Sequence, residues 1–341
     1  VGSRGGAQPI AVLDISNPTQ PTLIGRVTLA RGMDARELRA VSDLNLLIVM
    51  TIDLGANQRA ANGLHLYDIR DCRAPKFIAA FDFGVVAPHE FFLWRDPQRP
   101  ARLLAFVALF SAANGLQVID LSDPARPTRV VEWNLGVVVH SLSVLDDGTR
   151  AFIAAWDAGL LIADSSEIAE SKSNPTLSAI SHLPYANSST HSAVSIPARR
   201  LVILTDENYS CPFGWLRVVD IANETQLKIA GEFKVSENLD GCDAGIFTSH
   251  NPLTFKNIIL LTWYTGGLYA LDVSDAAHPR ALANYRAGAE ELWSYPIVRD
   301  GLIYAVSIEG GLYVFQYAGI FAEEIRAAKF AEGNSNANGG R

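Results

Sequence analysis

Four of the seven histidines in this 341-residue chain stand at one recurring position of a repeated frame. Read from that position, the segments are HEFFLWRDP at His89, HSLSVLDDG at His140, HSAVSIPAR at His191 and HNPLTFKNI at His250. Two further segments align with them, beginning at Arg36 (RELRAVSDL) and Trp293 (WSYPIVRDG). A ring of three or four neutral imidazoles suits copper, zinc, iron or nickel and does not suit calcium or magnesium. With fewer than four protein ligands and water in an open position, such an ion supports Lewis-acid or redox chemistry. Imidazoles at such positions otherwise hydrogen-bond to backbone and water in a polar channel. Recurrence in four consecutive repeats favours the metal. His65, His182 and His278 are out of phase and read as surface or strand residues.

Other groups stand near the ring. Glu37 and Glu90 directly follow ring positions, and strand alternation is expected to turn them away from their neighbours. Asp206 and Glu207 lie in a long loop and could reach in as a carboxylate ligand or base, although such pairs are more often solvated. Arg36 and Trp293, at ring positions themselves, suit an anionic or an apolar group of a substrate, or simple channel packing. Ser141 and Ser192 follow histidines, but no G-x-S-x-G elbow accompanies them. Nor does the chain contain G-x-G-x-x-G, a P-loop or C-x-x-C. Sequons at Asn187, Asn208 and Asn223 are too common to carry weight.

The frame that sets this phase is GLQVIDLSDPARPT (Gly115–Thr128), with copies starting at Pro9, Gly63, Gly159, Trp215 and Gly267 and a short one at Gly311. Each copy is an apolar run, an Asp and a turn rich in Ser, Asn, Asp and Pro, which reads as a strand and a tight connection. The Asp residues at 14, 68, 120, 164, 220 and 272 are spaced by 54, 52, 44, 56 and 52 residues. A period of that size made of strands predicts an all-β fold, a β-propeller of four-stranded antiparallel blades. The repeated Asp is expected to cap its own turn rather than to act chemically.

Three further β-like runs separate successive copies, with inner strands near Glu37, Glu90, Ser141, Ser192, Asn251 and Ser294. Six inner strands against seven third strands favour seven blades with the first truncated. The alternative is six, with Pro9–Leu29 as closing strands. Inner strands converge on the propeller axis, so the histidines are expected to ring one mouth of the channel. The long connections Asp53–Asn62, Pro184–Thr190, Asp206–Gly214 and Ser236–Ile246 are expected on that same face, where variable loops carry function. The propeller is expected to span residues 1–317. From 318 to 341 the tail reads as a short helix and a disordered, Asn/Gly-rich end.

A formal net charge of −8, a pI of about 5.4 and no Lys/Arg run argue against a nucleic-acid partner. Apolar runs such as Leu103–Phe110 are far short of the roughly 18 residues that span a bilayer. Of three cysteines, Cys72 has no evident partner, while Cys211 and Cys242 fall in loops on one face of neighbouring blades and are expected to form a disulfide, hence an oxidising compartment. The opening VGSRGG aligns with a second-strand end such as Leu261–Gly267, so the expectation is that part of a blade precedes residue 1.

The copies LQVIDLSDPARPT, LYALDVSDAAHPR and AVLDISNPTQPT resemble the LVIVD repeat of secreted and surface β-propellers from bacteria and archaea. The resemblance covers about residues 1–317 and is specific for fold but not for activity. PHEFFLW, CPFGW and ELWSYPIVRDGLIY are similar to a functionally uncharacterised subgroup of such proteins. In architecture alone the chain is also similar to the selenium-binding protein and methanethiol oxidase propellers, whose histidines hold copper. The expected function is therefore an extracytoplasmic propeller with copper, zinc or iron at His89, His140, His191 and His250, of copper-oxidoreductase type. The competing expectation is a non-catalytic surface or scaffold propeller whose long-loop face binds a small molecule, protein or glycan, including as a subunit of a larger assembly.

Overall fold

The computed structural model describes residues 1–2, 10–30, 32–53, 62–238, 245–288 and 291–340. They form two compact units, Val1–Gly136 with Glu332–Asn334, and Val137–Ala331 with Ser335–Arg341.

In the first unit, β1 (Ile10–Asp14) and β2 (Thr22–Val27) make a two-stranded ribbon. Next come two four-stranded antiparallel sheets. One is β3 (Met33–Val41), β4 (Leu46–Asp53), β5 (Gly63–Asp68) and β6 (Lys76–Asp82); the other is β7 (Pro88–Arg95), β8 (Leu103–Leu109), β9 (Leu116–Asp120) and β10 (Thr128–Trp133). A shared core that includes Ile48, Met50, Phe91, Leu103 and Val107 joins the two sheets.

The second unit holds three more four-stranded sheets. They are β11 (Ser141–Val144), β12 (Arg150–Ala154), β13 (Leu160–Asp164) and β14 (Ser178–Leu183); β15 (Thr190–Ile196), β16 (Leu201–Asp206), β17 (Leu216–Asp220) and β18 (Lys228–Phe233); and β19 (Pro252–Thr254), β20 (Ile258–Thr262), β21 (Leu268–Asp272) and β22 (Arg280–Tyr285). A three-stranded sheet follows, β23 (Ile297–Arg299), β24 (Leu302–Ser307) and β25 (Gly311–Gln316). One short helix, α1 (Ser166–Ala169), precedes β14, and another, α2 (Ala322–Arg326), follows β25.

The fold is thus the expected all-β propeller of four-stranded antiparallel blades. Among the described residues there are six blades, the alternative count, and not the seven favoured from the repeats. A blade is defined by its inner strand, and the β1–β2 ribbon has none; Val1 and Gly2 add only a short pairing to β1. The repeat copies mark third strands, which is why counting them overstated the blades.

Second and third strands are buried on both faces between neighbouring sheets, as in β8 and β16, so their sequences read as nearly continuous apolar runs. The repeated Gly has a steric cause. At Gly159 φ is +87° and a Cβ would lie 2.3 Å from the Leu183 carbonyl oxygen; at Gly267 φ is +85° and the gap to the Tyr285 oxygen is 2.0 Å. The repeated Asp caps its turn as expected: Asp120 accepts from the Ser122 amide at 2.8 Å, Asp220 from Ala222 at 2.7 Å and Asp272 from Ser274 at 2.8 Å.

The C-terminal end is not the disordered tail its composition suggested. In the first unit, Asn334 pairs with both backbone groups of Leu93, accepting from its amide at 2.8 Å and donating to its carbonyl at 2.9 Å. In the second unit, Ala337 and Gly339 bond the backbone of Thr254 on β19, at 3.1 and 2.7 Å. Asparagine side chains reproduce the hydrogen bonds of a strand, so a polar, apolar-poor segment satisfies its buried backbone.

Two long connections fall largely outside the described residues, at 54–61 and 239–244, and Cys242 with them. The expected Cys211–Cys242 pairing therefore lies outside the described residues, while Cys72 is exposed and free. No helix among the described residues is long and apolar enough to cross a membrane.

Candidate functional site

Inner strands open with a β-bulge, and the ring position sits in it. Thr190 faces Asp206 and Ser192 faces Thr205, which leaves His191 as the extra residue. The His140 amide bonds the Ala154 carbonyl at 2.9 Å while Ser141 also pairs with Ala154. His250 likewise bonds Thr262 at 3.0 Å, one step before the regular pairing of Pro252 with Leu261. Within the first unit, His89 and Arg36 are skipped in the same way on β7 and β3. Two residues then face one, which re-aims a side chain and breaks alternation. Glu37 and Glu90, the residues after the bulge, are both buried. Glu37 accepts from Arg39 at 2.7 Å and from the Phe91 amide at 3.2 Å.

In the second unit the bulges gather three of the predicted histidines. Ring centroids are 4.0 Å apart for His140 and His191, and 4.1 Å for His191 and His250. Glu207 joins them, with Oε2 at 3.8 Å from His140 Nε2 and Oε1 at 3.6 Å from His250 Nε2. One ligand atom each from His191, Glu207 and His250 lie within 4.8 Å of one another, and all three residues are buried. Hydroxyls of adjacent blades fix the backbone behind the rings: Ser141 donates to the His191 carbonyl, and Thr205 donates to the His250 carbonyl at 2.5 Å. Ser141 is thereby committed to structure.

A second recurring position surrounds the cluster. Two residues beyond Ala154, Thr205 and Thr262, the partners of the bulged inner strands, stand Trp156, Glu207 and Tyr264. Trp156 stacks on His140 with centroids 5.0 Å apart and planes 13° apart, and Tyr264 meets His250 edge-on at 5.2 Å. Both aromatics have positive φ, 43° and 35°, a conformation that bulky residues adopt only where their surroundings enforce it. Glu207 is the carboxylate of this set. Tyr264 donates to its Oε1, Tyr209 donates to the same oxygen at 2.7 Å, and the two phenol oxygens are 2.7 Å apart. Burial, and then the Glu207 charge, push the Tyr264 phenol far above its usual range, so it stays a proton donor.

The remaining predicted residues are placed differently. Asp206 points away from the imidazoles: it pairs with the buried Arg217 and accepts from Tyr185 at 2.8 Å and the Ser189 amide at 3.0 Å. Trp293 lies beside His250, centroids 5.7 Å apart. In the first unit, the Arg36 guanidinium bonds the His89 ring at 2.6–2.9 Å and its carbonyl at 2.5 Å, and Phe110 packs on that ring at 4.5 Å. Sequence reasoning missed Trp156, Tyr209 and Tyr264. Trp156 and Tyr264 each stand three residues before the Gly of a repeat copy, so the same ruler applied to second-strand ends would have found them; nothing in the sequence marks Tyr209.

The LVIVD repeat model matches the chain at residues 7–29, 105–134 and 141–181. No curated protein matches it. Similar solved structures include a functionally unknown protein from Desulfotomaculum acetoxidans DSM 771, 9% identical with a TM-score of 0.61, covering 93% of this chain and 90% of that one. Sqt1 from Chaetomium thermophilum is 14% identical with a TM-score of 0.54, covering 92% and 77%. The computationally designed Ika8 protein is 11% identical with a TM-score of 0.54, covering 87% of each chain. At these identities the likeness is one of fold alone.

Proposed function

We propose that this LVIVD-repeat propeller holds a transition-metal ion through His140, His191, His250 and Glu207. The observation that carries the reading is the convergence of His191, His250 and Glu207, one ligand atom each within 4.8 Å of one another, with His140 Nε2 3.8 Å from Glu207 Oε2. Three nitrogens and one oxygen suit copper, zinc or iron; they would close a four-coordinate zinc site, whereas copper or iron with five or six ligands would keep a position for water or a substrate. Glu207 takes the fourth place expected for His89, whose ring is already engaged by a permanently charged guanidinium. Bound there, the ion would supply Lewis-acid or one-electron chemistry, and the reading extends to an oxidoreductase of copper or iron type. This chain's own contribution is to exclude water with Trp156 and Tyr264 and to orient Glu207 through two phenol donors. Metal analysis of tag-free protein tests the reading. About one equivalent of metal is expected, lost in the His140→Ala/His191→Ala double variant; substoichiometric metal that survives that variant refutes it.

A non-catalytic role is the second reading, a surface or scaffold propeller that binds a small molecule, protein or glycan. Apolar side chains exposed in the connections after strands support it: Val85 and Phe110 in the first unit, Tyr209 and Ile308 in the second. An extracytoplasmic location and membership of a larger assembly belong to both readings. The location rests on the expected Cys211–Cys242 disulfide, and alkylation of both cysteines without reductant removes that support.

A further inference from the structure

The C-terminal segment reaches the metal-site histidines through a chain of buried hydrogen bonds. His191 Nδ1 lies 2.8 Å from Ser192 Oγ. Asn251, which follows His250, donates through Nδ2 to the same hydroxyl at 3.4 Å and to Asn336 Oδ1 at 3.2 Å. Each of these four residues is at most 1% exposed. Asn336 belongs to the segment that pairs with β19, flanked by the Thr254–Ala337 and Gly339–Thr254 backbone bonds. Asn338 docks the same segment from the other side, donating to the Ser195 carbonyl at 2.9 Å and to Thr254 Oγ1 at 3.1 Å.

We infer that Asn336 is a positioning residue for the metal site: through Asn251 and Ser192 it holds the His191 ring with Nδ1–H toward Ser192, which leaves the Nε2 lone pair for the ion. The inference rests on the proposed metal site. A metal-bound imidazole commonly donates its other N–H to a fixed acceptor, and that acceptor sets both tautomer and ring orientation. A serine hydroxyl alone is a poor anchor because it rotates freely. Here the Asn251 amide occupies one of its lone pairs, and the Asn251 amide is itself anchored by Asn336, so the orientation of Ser192 is set from the tail. Without Asn336, Asn251 would lose an acceptor in a site that water does not reach, and the amide would turn to find another.

Two measurements on Asn336→Ala, Ser192→Ala and Asn338→Ala test the inference: imidazole 15N shifts of the metal-free protein, and Co(II) affinity by competition. Wild type is expected to show His191 as the Nδ1–H tautomer. Asn336→Ala and Ser192→Ala are expected to mix the tautomers and to weaken Co(II) binding by about 10- to 100-fold. Asn338→Ala removes two side-chain bonds of the tail while the Ala337 and Gly339 backbone bonds to Thr254 still hold Asn336 in place, and is expected to change affinity less than threefold. An Asn336→Ala protein with wild-type tautomer and affinity overturns the inference, as does an Asn338→Ala protein that loses as much affinity as Asn336→Ala. If wild type binds no Co(II) while Asn336→Ala still scrambles the His191 tautomer, the positioning role stands and the metal reading falls.

Discussion

Replacing Tyr264 with Phe removes one oxygen from the interior and tests how the carboxylate at the site is held. In the metal-free protein Glu207 is nearly buried and accepts two phenol hydrogen bonds on one oxygen, from Tyr264 and from Tyr209. A hydrogen bond to a charged group contributes about 1.5–3 kcal/mol. Tyr264 is itself buried, so water does not replace its hydroxyl, and the loss should fall near the middle of that range, about 2 kcal/mol. Tyr209 is 55% exposed. Water can take over its bond, so Tyr209→Phe should cost less than about 1 kcal/mol. Because both phenols serve the same oxygen, the double variant should cost more than the sum of the single ones. Equilibrium urea unfolding at pH 7, with chelator present, reads these differences directly; with a slope near 3 kcal/mol per molar, the Tyr264→Phe midpoint falls by roughly 0.7 M. Equal costs for the two single variants, or strict additivity, would refute the shared-acceptor arrangement.

Two further outcomes follow from charged groups elsewhere. Arg217→Ala leaves Asp206 buried opposite no cation, since Arg217 and Asp206 are 3% and 2% exposed. The expected loss is about 3–5 kcal/mol by urea unfolding, and a loss below 1 kcal/mol would show the pair to be dispensable. The turn carboxylates should make the fold acid-sensitive. Asp68 is held down to about 2, first by the Arg70 side chain and then by the Arg70 amide, and the hydrogen bonds of their turns lower Asp14 and Asp164 too. A folded-state pKa below the ordinary carboxylate value gives stability that is complete above about pH 4 and is lost as pH falls toward 2. Asp68→Asn should flatten part of that loss in a urea-midpoint series between pH 5 and pH 2; an unchanged acid slope would remove Asp68 from the account.

Much of the site was legible because repetition acts as a ruler. The inner-strand opening that follows each repeat copy picked out His140, His191 and His250, and the structure sets these three together in the second unit. Choosing between Asp206 and Glu207 was beyond the sequence. Adjacent residues at a strand end point in opposite directions, and only the Arg217 guanidinium, brought in from β17, shows that Asp206 turns to the blade interior and Glu207 to the imidazoles. The strand alternation expected to turn Glu37 and Glu90 away from their neighbours is interrupted for a related reason. A bulge inserts one residue and cancels alternation, and no residue type in RELRAV or HEFFLW announces it.

The sequence by itself determined the all-β class, the strand run of each repeat, the role of its Asp, and the phase of the histidines. These are local properties: an amide two residues away, an apolar run, a period in the chain. Tertiary structure alone decided the blade count, the carboxylate that joins the histidines and the fate of the tail. GNSNANGG carries no apolar pattern, so composition reads it as disordered. Asn336 and Asn338 find buried partners only where β15 and β19 align their inner edges, and hydrogen-bond complementarity between segments 85 and 143 residues apart in sequence cannot be read from either segment alone.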